Sequence, residues 1–272
     1  MLRNGRTENT IRIPLLFIIA IIFLIPACKT DPAEPQEQYG KLRFKFDHFI
    51  DGNPIVFDQM NYTNDAGNPY LVNEIQYFIS EVKLHGTDGT KVLFDAWKDI
   101  HYVDTDIEET KSCTFKDDIE PGSFSKVSFI FGITSEKNQS LMFVNPPESL
   151  MFWPELLGGG YHYMKLNGKW MDTLNQVSPF NFHLGIGQIY YSFPDSITEF
   201  VDNSFLIELN TDPFQIKPDE TTELNIVMNV ENWFKNPNVY NHDDWGGDIM
   251  QKQDAMKLGC ENGWNVFSLS DN

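Results

Sequence analysis

Cysteine is scarce in this chain, with three in 272 residues, at Cys28, Cys113 and Cys260. So few thiols exclude a disulfide-stapled scaffold, and none has the CxxC neighbour that a zinc ribbon or a redox motif needs. Cys113 and Cys260 have the option of pairing in an oxidising compartment, and the sequence leaves that open. Basic residues are also in short supply. Twenty Lys and Arg stand against 39 Asp and Glu, for a net charge of −19. A surface this acidic repels nucleic acid and anionic lipid, and it suits cation binding. The sequence has no GxSxG elbow, HExxH, P-loop or strand-borne GxGxxG, which removes the common hydrolase and nucleotide-binding signatures. Gly158-Gly159-Gly160 is glycine-rich, but no Lys-Ser pair follows it, and phosphate binding is not expected there. No nucleophile–base pair emerges either. The expectation is a binding protein and not an enzyme.

No apolar run reaches the roughly 20 residues that span a bilayer as a helix. The longest, from Ile13 to Ile25, follows Arg3, Arg6 and Arg12 and ends in Ile25-Pro26-Ala27-Cys28. A basic start, a short apolar core and a small residue before the cut define an export signal. A cysteine just past the cut is what lipid attachment requires. Residues 1–27 therefore read as a lipoprotein signal peptide and Cys28 as the lipidation site. Residues 28–40, with two prolines and several acids, read as a flexible tether. The expected location is the cell envelope, lipid-anchored, on a periplasmic or surface face.

From Lys41 the texture changes. Leu42-Arg-Phe-Lys-Phe-Asp-His-Phe alternates apolar and polar with period two, as a half-buried strand does. Comparable runs cover 75–84, 127–133, 161–166, 180–184, 204–209 and 222–230. Between them stand turn signals: Asp51-Gly52, Asp88-Gly89, Pro121-Gly122 and Asn167-Gly168. Short strands so spaced predict an all-β fold, an antiparallel sandwich. One domain over 41–272 is expected, with a short helix within 247–259 carried by Ile249, Met250, Met256 and Leu258.

Six histidines can carry chemistry: His48, His85, His101, His162, His183 and His242. His85, before Gly86, and His101, in Asp99-Ile-His-Tyr-Val, read as exposed. His48 continues the face of Phe44 and Phe46, whereas His183 falls opposite Phe182 and Leu184. Imidazole suits copper and zinc, although a buried histidine is more often a satisfied structural one.

Three stretches sharpen this reading. They are Met151-Phe-Trp-Pro-Glu155, then Gly159-Gly-Tyr-His-Tyr-Met-Lys-Leu-Asn-Gly168, then Phe180-Asn-Phe-His-Leu-Gly185. With Tyr62–Gly67, Ile75–Leu84 and Pro121–Ile133 around them, the chain from 41 to 267 resembles the MbnP-like family of envelope proteins. The pattern is a methionine, an aromatic residue, WxW, a glycine-tyrosine strand with Lys-Leu-x-Gly, then FHLG. The resemblance implies a β-sandwich binding one Cu(I). It also implies a dihaem cytochrome c peroxidase-like partner that oxidises the first tryptophan of WxW to kynurenine. Trp153 matches that tryptophan, and Glu155 stands in place of the second. Kynurenine offers an aryl amine where indole has no lone pair, and neutral nitrogens suit cuprous ion. The implied ligands are His183 from FHLG first, then His48, His242 and His162. Met164 and Met250 are thioether candidates. The functional expectation is copper acquisition or homeostasis. The alternative is a metal-free interaction module on the same fold.

Overall fold

The computed structural model describes residues 38–94 and 100–270. The predicted signal peptide, Cys28 and nearly all of the tether lie outside the described residues. The main strands are β1 (Lys41–Ile50), β2 (Pro69–Gly86), β3 (His101–Asp104), β4 (Gly122–Phe131), β5 (Met164–Met171) and β6 (Val177–Leu184). They continue with β7 (Gly187–Ser192), β8 (Ser196–Val201), β9 (Phe205–Ile216) and β10 (Thr221–Asn229). The helices α1 (His242–Trp245) and α2 (Gln253–Asn262) and the short strand β11 (Phe267–Leu269) follow.

Period-two patterning sets the faces. In β1, Leu42, Phe44, Phe46, His48 and Ile50 are buried while Lys45 and Asp47 are exposed. One sheet runs β11-β10-β1, with Ser112–Thr114 and Asn53–Pro54 also along β1. β1 and β10 pair in parallel, from Lys41↔Thr221 to Phe49↔Asn229, and the other pairs are antiparallel. A parallel pair needs a crossover, and here the second sheet supplies it. That sheet runs β6-β5-β2-β4-β9, and β3 also pairs with β2. β2 is 18 residues long, enough to pair with β5 over 70–77 and with β4 over 79–86. β7 and β8 form a separate hairpin.

The two sheets meet through aromatic side chains. Tyr77 of β2 lies 6.2 Å from Phe46, 5.8 Å from His48 and 5.9 Å from Phe267, ring centre to ring centre. Phe129 of β4 meets Phe267 edge-on. This is the expected sandwich. Because strand side chains alternate, Glu74, Gln76, Lys165, Asn167, Asn181 and His183 share the opposite, outer face of the second sheet.

Two local expectations change, and the cysteine question left open by the sequence is answered. Asn167-Gly168 is not a turn but lies within β5, where a Cβ on Gly168 would come 2.2 Å from the Leu71 carbonyl and 2.5 Å from the Phe180 ring. Glycine is there for close approach between strands. The C-terminal helix sits slightly later than the apolar residues suggested. Cys113, beside Phe44 on β1, and Cys260, in α2, are both free and do not bridge. No described helix is long and apolar enough to cross a membrane.

Candidate metal centre

The outer face of β5 and β6 is roofed by the segment that contains Trp153. Gly158, Gly159 and Gly160 all take positive φ (116°, 69° and 79°) and reverse the chain, so that 160–162 returns alongside 151–153. The Trp153 amide donates to the Gly160 carbonyl and the His162 amide to the Met151 carbonyl. The Trp153 indole is fully buried, and its Nε1 donates to the Leu157 carbonyl at 3.0 Å. Its six-membered ring lies on Gly185, where a Cβ would come within 2.7 Å. The glycine of FHLG is thus space for the tryptophan of the roof.

Trp153 meets His162 edge-on at 4.6 Å, and His162 meets His183 edge-on at 5.0 Å. The hydrogen bonds of these two imidazoles fix their tautomers. His162 Nδ1 lies 2.8 Å from the Met151 carbonyl, which can only accept, so Nδ1 carries the proton and Nε2 the lone pair. His183 Nε2 lies 2.7 Å from Asn167 Oδ1, leaving the lone pair on Nδ1. His162 Nε2 and His183 Nδ1 are both buried and have no hydrogen-bond partner. Buried polar atoms are nearly always paired, so two unpaired lone pairs on touching rings call for a reason.

Burial holds both rings neutral. It pushes His162 well below the usual histidine range, helped by His183 and the Lys165 ammonium. It brings His183 down to about 4, with Lys165 helping and Asp248 opposing. Neutral imidazole with one nitrogen free and the other anchored is the form that binds a metal ion. Bonds of about 2 Å put two coordinating nitrogens at most about 4 Å apart, compatible with rings whose centres are 5.0 Å apart. Among the described residues, no group of three or more His, Cys, Asp and Glu side chains is placed to hold a metal. Any ion held by these two imidazoles would draw further ligands from outside that set of side chains.

The other predicted ligands lie elsewhere. His48 lies between the sheets against Tyr77, on the side of β2 opposite Glu74 and Gln76. His242 stands in a box of Tyr70, Trp170, Phe180, Phe234 and Tyr240, and Phe180 is on the face of β6 opposite His183. Neither can complete the His162–His183 pair. Burial lowers both to about 3. Met164 is fully buried on the inner face of β5 and Met250 packs against the core, so both read as packing. His85 binds Ser128 Oγ and His101 the Thr110 carbonyl. Glu155 is exposed at the start of a single 3₁₀ turn, away from the histidine pair in the chain path.

The sequence did not single out Asn167, Glu74 or the Met151 carbonyl. The signal for the first two was the outward parity they share with His183, readable only once β2, β5 and β6 are known to be neighbours.

A family model described as MbnP matches residues 39–251. A solved structure, MbnP from Methylosinus trichosporium, is similar with 11% identity and a TM-score of 0.48, over 74% of this chain and 79% of that one. No curated protein matches. The chain belongs to the MbnP family.

Proposed function

We propose that this protein binds a single Cu(I) between His162 Nε2 and His183 Nδ1, as an envelope carrier or scavenger of copper. The observation that carries this reading is the pair of unpartnered, buried lone pairs on rings in contact. Neutral imidazoles and a nearby ammonium suit a soft monovalent ion better than a hard divalent one. Trp153 is the third element. Oxidation of its indole to kynurenine, with a dihaem peroxidase as partner and peroxide as oxidant, cleaves the C2–C3 bond, releases C2 as formate and opens the ring that already lies against His162. The former indole nitrogen then becomes an aryl amine able to complete the donor set. The protein is read as a binder and not a catalyst, anchored through lipid on Cys28.

A second reading has its own support. Leu141, Val144, Leu150 and Leu156 of the roof and Tyr191 and Phe193 of the β7–β8 hairpin are exposed. Apolar surface of this kind marks interaction sites, as a metal-free docking module would have.

Protein purified from its own host separates the two. Copper binding predicts close to one copper per chain and a Trp153 peptide heavier by about 4 Da, the change for one oxygen gained and one carbon lost. An unmodified Trp153 with no copper would favour the docking module.

A further inference from the structure

Two residues behind His183 have no direct place in the proposed copper site, yet they decide which of its nitrogens is free. Glu74, Asn167 and His183 form a line across three neighbouring strands on the outer face. Glu74 of β2 is directly opposite Asn167 of β5, and His183 of β6, opposite Lys165, stands diagonally across from Asn167. Asn167 Nδ2 donates to Glu74 Oε1 at 2.6 Å, and Asn167 Oδ1 lies 2.7 Å from His183 Nε2.

Each link has one direction. A carboxylate only accepts, so it holds the NH₂ end of the Asn167 amide. The amide must then offer its oxygen to the imidazole, and that oxygen accepts only from an N–H. His183 is forced to carry its proton on Nε2 and to leave Nδ1 bare. Without the carboxylate the amide is free to flip and to donate to Nε2, which would put the proton on Nδ1 and remove its free lone pair.

We infer that Glu74 is a positioning residue that, through Asn167, locks His183 in the tautomer with a free Nδ1. This deepens the proposed copper site, but the lock itself is a property of the metal-free chain. On the other ring the Met151 carbonyl does the same work for His162 Nδ1. Outer partners of this kind change metal affinity by about 10–100-fold when lost.

The test reads the tautomer first and the metal second. Nitrogen-15 NMR of the imidazoles in metal-free protein at neutral pH distinguishes a protonated Nε2 from a protonated Nδ1. The wild type is expected to show His183 as the Nε2–H form alone. Glu74→Gln, which keeps shape and loses direction, is expected to mix the two forms or reverse them. Glu74→Gln combined with Asn167→Asp restores an obligate acceptor beside the ring, with the glutamine amide at position 74 donating to it, and is expected to return the Nε2–H form. Titration with Cu(I) against a competing chelator should then show Glu74→Gln weakened by about 10–100-fold. A wild-type His183 protonated on Nδ1, or a Glu74→Gln spectrum identical to wild type, would overturn the lock. Absence of Cu(I) binding in the wild type would overturn the copper reading and leave the tautomer result standing. If Glu74→Gln alone fails to fold, the wild-type spectrum and the double variant still decide it.

Discussion

At the scale of single residues, two buried histidines in apolar surroundings are costly to hold. His242 has neither ring nitrogen paired and is almost wholly buried, and His48 Nε2 is unpaired beside Tyr77. Both titrate near 3 in the folded chain, chiefly because burial disfavours the cation, against 6.5 when exposed. The unfolded chain therefore takes up protons first as the pH falls. Stability is complete above about pH 6.5 and is lost progressively towards pH 3, by a few kcal/mol for each such ring. Urea midpoints are expected to be level between pH 7 and 8 and to fall steeply between 6 and 4. His242→Phe, whose ring suits the aromatic box, is expected to flatten that fall. A midpoint indifferent to acid would show that the rings are not held neutral.

At the scale of elements, the roof depends on its glycine turn. A Cβ on Gly160 would sit at positive φ and 2.6 Å from Asn138, whose Oδ1 accepts from the Tyr161 amide. Gly89 also has positive φ, but a Cβ there meets nothing within 4 Å. Gly89→Ala is expected to cost only the backbone term of about 1–2 kcal/mol. Gly160→Ala should cost more in urea unfolding and weaken Cu(I) binding as well, because His162 is two residues away. Equal losses of stability in the two variants, with copper binding untouched, would mean that the turn does not place His162.

The elements also show how far the sequence could be read. Alternation in Leu42–Phe49 and Phe180–Leu184 placed His48 with its aromatic neighbours and His183 against them, and both placements hold. Alternation does not say which strand lies alongside, so the parallel β1–β10 pair was not legible. Nor was the Glu74–Asn167–His183 line, which spans three strands. Asn167-Gly168 carries turn chemistry, yet the same glycine serves a close strand crossing. The sandwich was therefore readable from local pattern. Of the proposed metal site, the sequence offered His183, Trp153 and a lower-ranked His162. His48 and His242 are buried imidazoles like the others, and only the layer each occupies separates them.

At the scale of the molecule, the family, the sandwich and the acidic surface form one arrangement. The inner faces of the sheets bury the aromatic core, and the outer face of β5–β6 carries the polar row that the roof covers. The proposed donor His183 and the aromatic core between the sheets thus lie on opposite sides of one sheet. The surface is acidic overall, whereas the donors proposed for the ion are neutral. Diffuse charge can draw cations to the molecule, but selection falls to the two nitrogens. The measurement that tests this most directly is a Cu(I) titration, against a competing chelator, of protein from its own host, alongside His162→Ala, His183→Ala and the outlying His85→Ala. One Cu(I) per chain is expected in the wild type and in His85→Ala, with affinity reduced more than about a hundredfold in each of the other two, since they lose a ligand itself and not an outer partner. Wild-type affinity in His162→Ala and His183→Ala, or no Cu(I) bound by the wild type, would contradict a copper site between these two rings.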